Sequence, residues 1–302
     1  QNRNVVVTGG TRGLGYLQVE RALECGANHV TFTSRPKKTG GNQADAEAAV
    51  QYFEGKYGAS RVKHAYADVR VECEKDTDDG HCNDRVIAPK MREAMGLPER
   101  VDSISFNAGI FGPGDEKRRL DVVTGEQWDN IVGTNCKGVW LGLKAFANAQ
   151  KEAPSSNPAA VVIKSIYGSG ASLFGNVPYH ASKFCVHGVT KQAAIEFARA
   201  ERGFPKIQVN SVSPAFAKTP MTKGFWHIGG VQAEVANAHP TGEWVRGEDV
   251  AETVAWLMNP PASITGIDVP VDNGVMAQSV PGWSQADSIR KKTGEPCCGT
   301  EE

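Results

Sequence analysis

Nowhere in the sequence do apolar residues run on for the roughly 20 positions that a bilayer-crossing helix requires. The amino-terminal QNRN passes into NVVVTGG without the apolar core of a secretion signal, so a soluble, non-secreted protein is expected. An excess of either charge is missing too. A formal net charge of -1 leaves no basic stripe to neutralise phosphates, and neither nucleic acid nor membrane is an expected partner. Cysteine is sparse: seven residues, at Cys25, Cys73, Cys82, Cys136, Cys185, Cys297 and Cys298, an odd count without the density of a disulfide scaffold. A reduced, cytoplasmic setting is the expectation. Cys73, His81 and Cys82 have no partner pair at ligand spacing, and His227 and His239 read as solvated or packing residues, so no metal is expected. What remains, at 40% hydrophobic and 22% charged residues, is ordinary globular composition. Its 302 residues can form one α/β domain around one core.

Short β-rich apolar runs alternate with longer helical patterns, which argues for a parallel sheet covered on both faces. Strands are expected at residues 4–8, 29–33, 62–67, 101–106, 160–164, 207–212 and 267–271, and helices at 14–25, 44–57, 125–151, 179–202 and 247–258. Three segments interrupt the rhythm. Residues 71–84 form a dense acidic run, which reads as a solvated insertion. Residues 110–121 are rich in Gly, Pro and charge. Residues 219–243 mix Gly and Pro with Phe225 and Trp226, ahead of Trp244, and read as a substrate lid, because aromatics on a mobile loop can cover an apolar ligand. The domain is expected to span 1–275, with 276–302 a polar tail that packs loosely or reaches a neighbouring subunit.

The first strand runs into TGGTRGLG and then a helix. Gly9 lets backbone approach a phosphate with no Cβ in the way, and Gly13 and Gly15 allow a tight turn and close helix packing. Free N–H groups at the helix start would face a pyrophosphate, where the helix dipole favours negative charge. The turn residues Gly9, Thr11, Arg12, Gly13, Leu14 and Gly15 are the expected contacts. After the second strand a dinucleotide site often carries a carboxylate for the ribose hydroxyls. This chain instead has Ser34 followed by Arg35, with Arg12 in the turn itself. Two guanidinium groups suit an extra phosphate, which points to NADP(H) over NAD. Lys37 and Lys38 read as solvated.

In PYHASKF, Tyr179 and Lys183 are four residues apart at the start of a helix and share a face. An ammonium about 4.5 Å from a phenol, at an effective dielectric near 20, contributes roughly 4 kcal/mol, or about three pK units. That would draw the phenol toward the operating pH of a general acid–base.

The motifs TGGTRGLG, FNAG, KSIYG, YHASK and SVSPAFAKTPM occur in this order, and together they resemble the classical short-chain dehydrogenase/reductase family from about Asn4 to Gly274. The resemblance implies a doubly wound, Rossmann-like single domain of seven parallel strands, assembling as a homodimer or homotetramer. It implies that Tyr179 protonates a carbonyl oxygen during reduction and that Lys183 lowers its pKa and holds the nicotinamide ribose. Ser165 would bind the substrate oxygen, and Asn135 would support a water-linked relay to the lysine. Asp68 and Val69 would sit beside the adenine, Asn107, Ala108 and Gly109 would line its pocket, and Pro214 and Thr219 would lie at the nicotinamide end. The chain departs from the family pattern at Phe106, where an asparagine is usual, and at Ala215, where Pro214 is usually followed by glycine. One extra residue also separates Ser165 from Tyr179, which makes Ser169 the reserve serine. The expected activity is NADP(H)-dependent reduction of a partly apolar ketone or aldehyde, with Phe225, Trp226, Leu173, Phe174 and Val177 near the substrate. Two alternatives stay open: oxidation of an alcohol on a sugar, steroid or hydroxyacyl compound, and a non-catalytic NADP(H) sensor.

Overall fold

The structure, a computed structural model, describes residues 2–71, 84–112, 120–170, 176–200, 203–225, 235 and 238–278. Most of the acidic insertion, with Cys73, His81 and Cys82, lies outside the described residues. So do Leu173, Phe174, Trp226, His227 and the tail from 279 on.

Seven strands form one parallel sheet in the order β3-β2-β1-β4-β5-β6-β7. They are β1 (Asn4–Val7), β2 (His29–Ser34), β3 (Val62–Tyr66), β4 (Ser103–Phe106), β5 (Ala159–Ile163), β6 (Gln208–Pro214) and β7 (Asp268–Val271). Side chains alternate across a strand, so β1 sends Val5 and Val7 to one face and Val6 to the other. On the first face these valines pack with α1 (Gly13–Glu24), α2 (Gln43–Tyr57) and α8 (Gly247–Leu257), through Val19, Phe53 and Val254. On the second, Val6, Ile104 and Phe106 pack with α3 (Asp84–Ile87), α6 (Gly138–Glu152) and α7 (Val177–Ala198), through Val86, Phe146 and Val186. Strands buried on both faces need continuous apolar runs, which is why VVV and AAVVI read clearly as strands. The order reverses between β1 and β4, and the crevice beyond their carboxyl ends is where such sheets bind ligands.

The differences from the sequence reading have local causes. Helix α4 (Pro89–Ala94) begins with proline at its first turn, and with α3 it was not foreseen because both are short. The single helix expected over 125–151 is three pieces: α5 (Gly125–Val132), a π-helical turn at Gly133–Lys137, and α6. A Thr124/Gln127 capping box fixes the start of α5. Phe106 is buried and fills the notch that Gly142 leaves in α6. Cys136 and Cys185, 49 residues apart, meet as a disulfide with their Cα atoms 5.9 Å apart. This departs from the expectation of reduced thiols, because scattered spacing hides a pair that two neighbouring helices bring together. Among the described residues, no helix is long and apolar enough to cross a membrane.

Two histidines in neighbouring strands are held neutral. Burial, aided by the charges of Arg92 and Lys63, pushes His29 down to about 4. Burial alone does the same to His64, which shares a 2.9 Å hydrogen bond with Ser34. The folded protein therefore binds fewer protons than the unfolded chain between pH 4 and 6.5. Stability that is complete above about pH 6.5 is lost as pH falls through 4, by up to roughly 3 kcal/mol per histidine. Urea unfolding of wild type and His64→Gln at pH 7.5 and 5.0 checks this. The variant should lose clearly less stability on acidification, and equal losses would refute the assignment to His64.

Candidate active site

The turn after β1 is built by backbone conformations that glycine adopts easily: Gly9 at φ +69° and Gly13 at φ +59°. A Cβ on Gly9 would lie 3.0 Å from the Ala108 Cα, so the turn after β1 and the turn after β4 are in direct backbone contact. Asn107 holds them together. Its Nδ2 donates to the Thr8 and Gly9 carbonyls at 3.0 and 3.1 Å, and its Oδ1 accepts from Gln18 at 3.1 Å. Beyond this seam opens a cavity of about 630 Å³ that runs from Arg12 and Arg35 at one end to Ser165, Tyr179 and Lys183 at the other.

At the arginine end the cavity is lined by Thr11, Arg12, Gly13, Leu14, Ser34 and Arg35. Arg12 leans 3.3 Å from Asp45 on α2, while Arg35 has Arg12 and Arg70 as like-charged neighbours. Burial, and then the Arg70 charge, lower the Arg35 pKa, as expected where positive charge gathers beside an anion site. Asp68, expected beside an adenine, is not among the residues lining the cavity. It is buried and turned to Arg70, with contacts of 2.9 and 2.6 Å to the guanidinium. Ala67 and Val69 face the cavity instead. The glycine cradle and the clustered guanidinium groups fit a phosphorylated dinucleotide. Thr11 to Leu14 would take its pyrophosphate, and Arg12 and Arg35 a further phosphate.

At the other end, Asn176 caps α7. Its Oδ1 accepts from the Tyr179 backbone N–H at 3.3 Å and its Nδ2 donates to the Phe111 carbonyl, which with Pro178 sets Tyr179 in the first turn. Ser165 caps a 3-10 turn, Ile166–Gly168, and its Oγ accepts from Tyr167 N at 3.2 Å. Burial drives the Tyr179 pKa above its ordinary value. A hydrogen bond with Ser165 acts in the opposite direction, and the Tyr167 phenol adds to the rise. Burial also pushes Lys183 down to about 8. Its Nζ donates to the Ile163 carbonyl at 2.8 Å and lies 5.6 Å from the centre of the Tyr179 ring. The expectation of a phenol drawn below its ordinary pKa is not met: burial sets the direction, and the Lys183 ammonium, 5.6 Å from the ring centre, is not among the causes that shift it.

Pro214 and Thr219 line the same end of the cavity, and Asn107, Ala108 and Gly109 line its middle. Gly15 and Asn135 lie behind the wall. The Asn135 Nδ2 donates to the Ile110 carbonyl and to Ser182 at 2.9 and 3.0 Å, and its Oδ1 accepts from Ile110 N at 2.8 Å. Its side chain thus ties the π-helical turn to α7 and to the loop after β4. Ser169, the reserve serine, bonds Lys164 at 2.6 Å and is not among the residues lining the cavity. Reading from sequence missed the apolar wall around Tyr179. Phe111 meets the Tyr179 ring edge-on at 4.8 Å, and Tyr167 contacts both Tyr179 and Phe216 in the same manner at 6.3 and 5.9 Å. Ile110, Ile166 and Met221 complete this wall. The signal was present, since each aromatic adjoins a motif: FNAGIF, KSIYG and SPAF. His239, expected to be solvated or packing, is buried and lies edge-on to Phe216.

Comparison with known proteins agrees with this geometry. A family model described as Enoyl-(Acyl carrier protein) reductase matches residues 11–276. The 2,5-dichloro-2,5-cyclohexadiene-1,4-diol dehydrogenase of Sphingobium indicum is 29% identical over 271 residues, 89% of this chain and 94% of its own. A cyclopentanol dehydrogenase of Comamonas testosteroni is 29% identical over 277 residues, 90% and 96% of the two chains. A 3-oxoacyl-[acyl-carrier-protein] reductase of Chlamydia muridarum is 28% identical over 275 residues, 91% and 97%. Among solved structures, ElxO with NADP bound matches with a TM-score of 0.73 at 25% identity, covering 92% of this chain and all of that one.

Proposed function

Because the chain belongs to the short-chain dehydrogenase/reductase family, we propose that it is an NADP(H)-dependent oxidoreductase that reduces an apolar, preferably alicyclic, ketone to the secondary alcohol. One observation carries the reading: a single cavity joins the glycine turn and its arginines to Ser165, Tyr179 and Lys183. The bound nicotinamide supplies the hydride. Tyr179, kept protonated by burial, holds the proton that passes from its hydroxyl to the substrate oxygen, and the Ser165 hydroxyl donates a second hydrogen bond to that oxygen as negative charge develops. Lys183 would hold the ribose hydroxyls through its ammonium, and that charge, 5.6 Å from the ring centre, would favour the phenolate once the proton has left. Asn135 acts one layer back, holding α7 in register with the loop after β4.

Among the described residues, the substrate end of the wall is mainly aromatic and aliphatic, with the hydroxyls of Ser165, Thr219 and Thr222 among them, and carries no charged side chain beyond Lys183 and the buried Lys164. This supports an uncharged ring as substrate. The alicyclic alcohols in the names of two relatives support the same class. Those names also favour a second reading, the same chemistry run as alcohol oxidation. Residues 219–243, of which 226–234, 236 and 237 lie outside the described residues, are proposed as the lid. A dimer or tetramer is proposed on the exposed Trp128, Trp140, Phe184 and Ile195 of α5, α6 and α7, and a solution mass of one chain would overturn it.

The test is consumption of NADPH or NADH with cyclopentanone, cyclohexanone and an open-chain control, and the reverse reaction with the alcohols. Tight NADPH binding without turnover in either direction would favour a sensor. Arg35→Asp sets a carboxylate against the extra phosphate. It should move the NADPH/NADH ratio of kcat/KM toward NADH by about 100-fold, equivalent to roughly 3 kcal/mol. An unchanged ratio would remove the preference for NADP(H).

A further inference from the structure

We propose that Lys164 is a positioning residue for the reductase chemistry: its buried ammonium fastens the far end of the 165–169 turn to β7 and α7, and so fixes where Ser165 presents its hydroxyl to Tyr179. The proposal rests on the reading of Ser165 and Tyr179 as the reacting pair. Lys164 directly precedes Ser165, and its side chain is wholly buried. The aliphatic stem passes beneath the turn. A Cβ on Gly168 would lie 2.8 Å from the Lys164 Cε and 2.9 Å from its Cγ, so Gly168 is the residue that lets the stem through. The ammonium has three protons and three neighbours for them: Ser169 Oγ at 2.6 Å, Asp268 Oδ2 at 2.8 Å and His187 Nδ1 at 3.2 Å. Burial, reinforced by the Lys164 charge, lowers the His187 pKa, which leaves its ring nitrogen free to accept. Asp268 is held in turn by Ser211 and Ser213 of β6, at 2.7 and 2.8 Å from its Oδ1.

One side chain thus links the serine turn to β6 and β7 through Asp268, and to α7 through His187, one helical turn beyond Lys183. A buried ion pair is a poor source of net stability, because desolvating both charges offsets their attraction. An apolar side chain would fill the same volume, but it would not fix the turn by directed, charge-assisted bonds. The network also uses the Ser169 hydroxyl, which leaves Ser165 as the serine that faces the cavity.

The test is a double-mutant cycle on the full chain with NADPH and cyclopentanone: wild type, Lys164→Met, Ser165→Ala and the two combined. Displacing a catalytic group by a fraction of an ångström to 1 Å lowers turnover by about 10- to 100-fold. Lys164→Met should lower kcat by that factor while the KM for NADPH stays within about twofold. If Lys164 acts through Ser165, the combined variant should match Ser165→Ala within about twofold. Multiplied losses, or an unchanged kcat in Lys164→Met, would overturn the proposal. Should Lys164→Met fail to fold, Ser169→Ala removes one bond of the network and leaves the ion pair. It should lower kcat when Ser165 is present and have no effect on top of Ser165→Ala; no effect in either background overturns the proposal. Loss of turnover in Ser165→Ala with intact Lys164 and Ser169 variants defeats this inference alone. Full turnover in Ser165→Ala defeats both it and the assignment of the reacting pair.

Discussion

Tyr179→Phe is expected to lower kcat by about 10²- to 10⁴-fold in either direction, the usual contribution of a positioned general acid, while leaving NADPH affinity within about twofold of wild type. The ring does the packing and the hydroxyl does the chemistry. Phenylalanine keeps the edge-on contacts with Phe111 and Tyr167 and the capped first turn of α7, so unfolding curves should overlay. Only the proton donor is lost. Single-turnover reduction under saturating NADPH, together with fluorescence titration of the cofactor, separates the two effects. A variant that retained most of its turnover would place the proton donor elsewhere. The same experiment addresses the raised pKa of Tyr179. With the phenol protonated throughout the neutral range, reduction in wild type should be nearly flat from pH 6 to 7 and fall above about pH 8, where Lys183 gives up its charge.

The second large effect is expected from Gly15→Ala. A methyl group there would overlap the Gly9 carbonyl oxygen and the Asn107 amide nitrogen, the two groups that hold the turn after β1 to the turn after β4. Neither neighbour can give way without breaking that contact. Overpacking of this kind costs roughly 1–3 kcal/mol, and because the displaced backbone is the phosphate cradle, cofactor affinity should fall by about 10- to 100-fold. Gly55→Ala is the control. It is an exposed position on α2 with nothing within 4 Å of a new Cβ, and alanine there should stabilise the helix by roughly 0.5–1 kcal/mol. Equal behaviour of the two variants would show that the turn accommodates a side chain after all.

The sheet was legible in the sequence because parallel strands buried on both faces leave unbroken apolar runs, as VVV and AAVVI do. The glycine turn and the Tyr179/Lys183 pair were legible because their spacing is fixed by geometry, a turn between strand and helix in one case and one helical turn in the other. Other features depend on partners far away in the chain. Asp68 turns to Arg70, and Arg70 reaches Asn130 on α5 at 2.8 Å, a contact that no local pattern announces. Cys136 and Cys185 pair across 49 residues. The π-helical turn at Gly133–Lys137 breaks a stretch whose periodicity reads as one continuous helix. For Lys183, four-residue spacing settles only which face of the helix it shares with Tyr179. The Ile163 carbonyl settles where its nitrogen goes.

Phe106 and Gly142 occupy one another's space, since any side chain at 142 would collide with the phenyl ring. The two positions are therefore expected to change together, as a single lock-and-notch choice. A descendant that exchanged Phe106 for a smaller residue would open a void beneath α6 until position 142 gained bulk, and one that enlarged position 142 first would lose the fit outright. Homologues with asparagine at the first position should accordingly carry a larger residue at the second, and grafting either half alone into this protein should destabilise it more than grafting both.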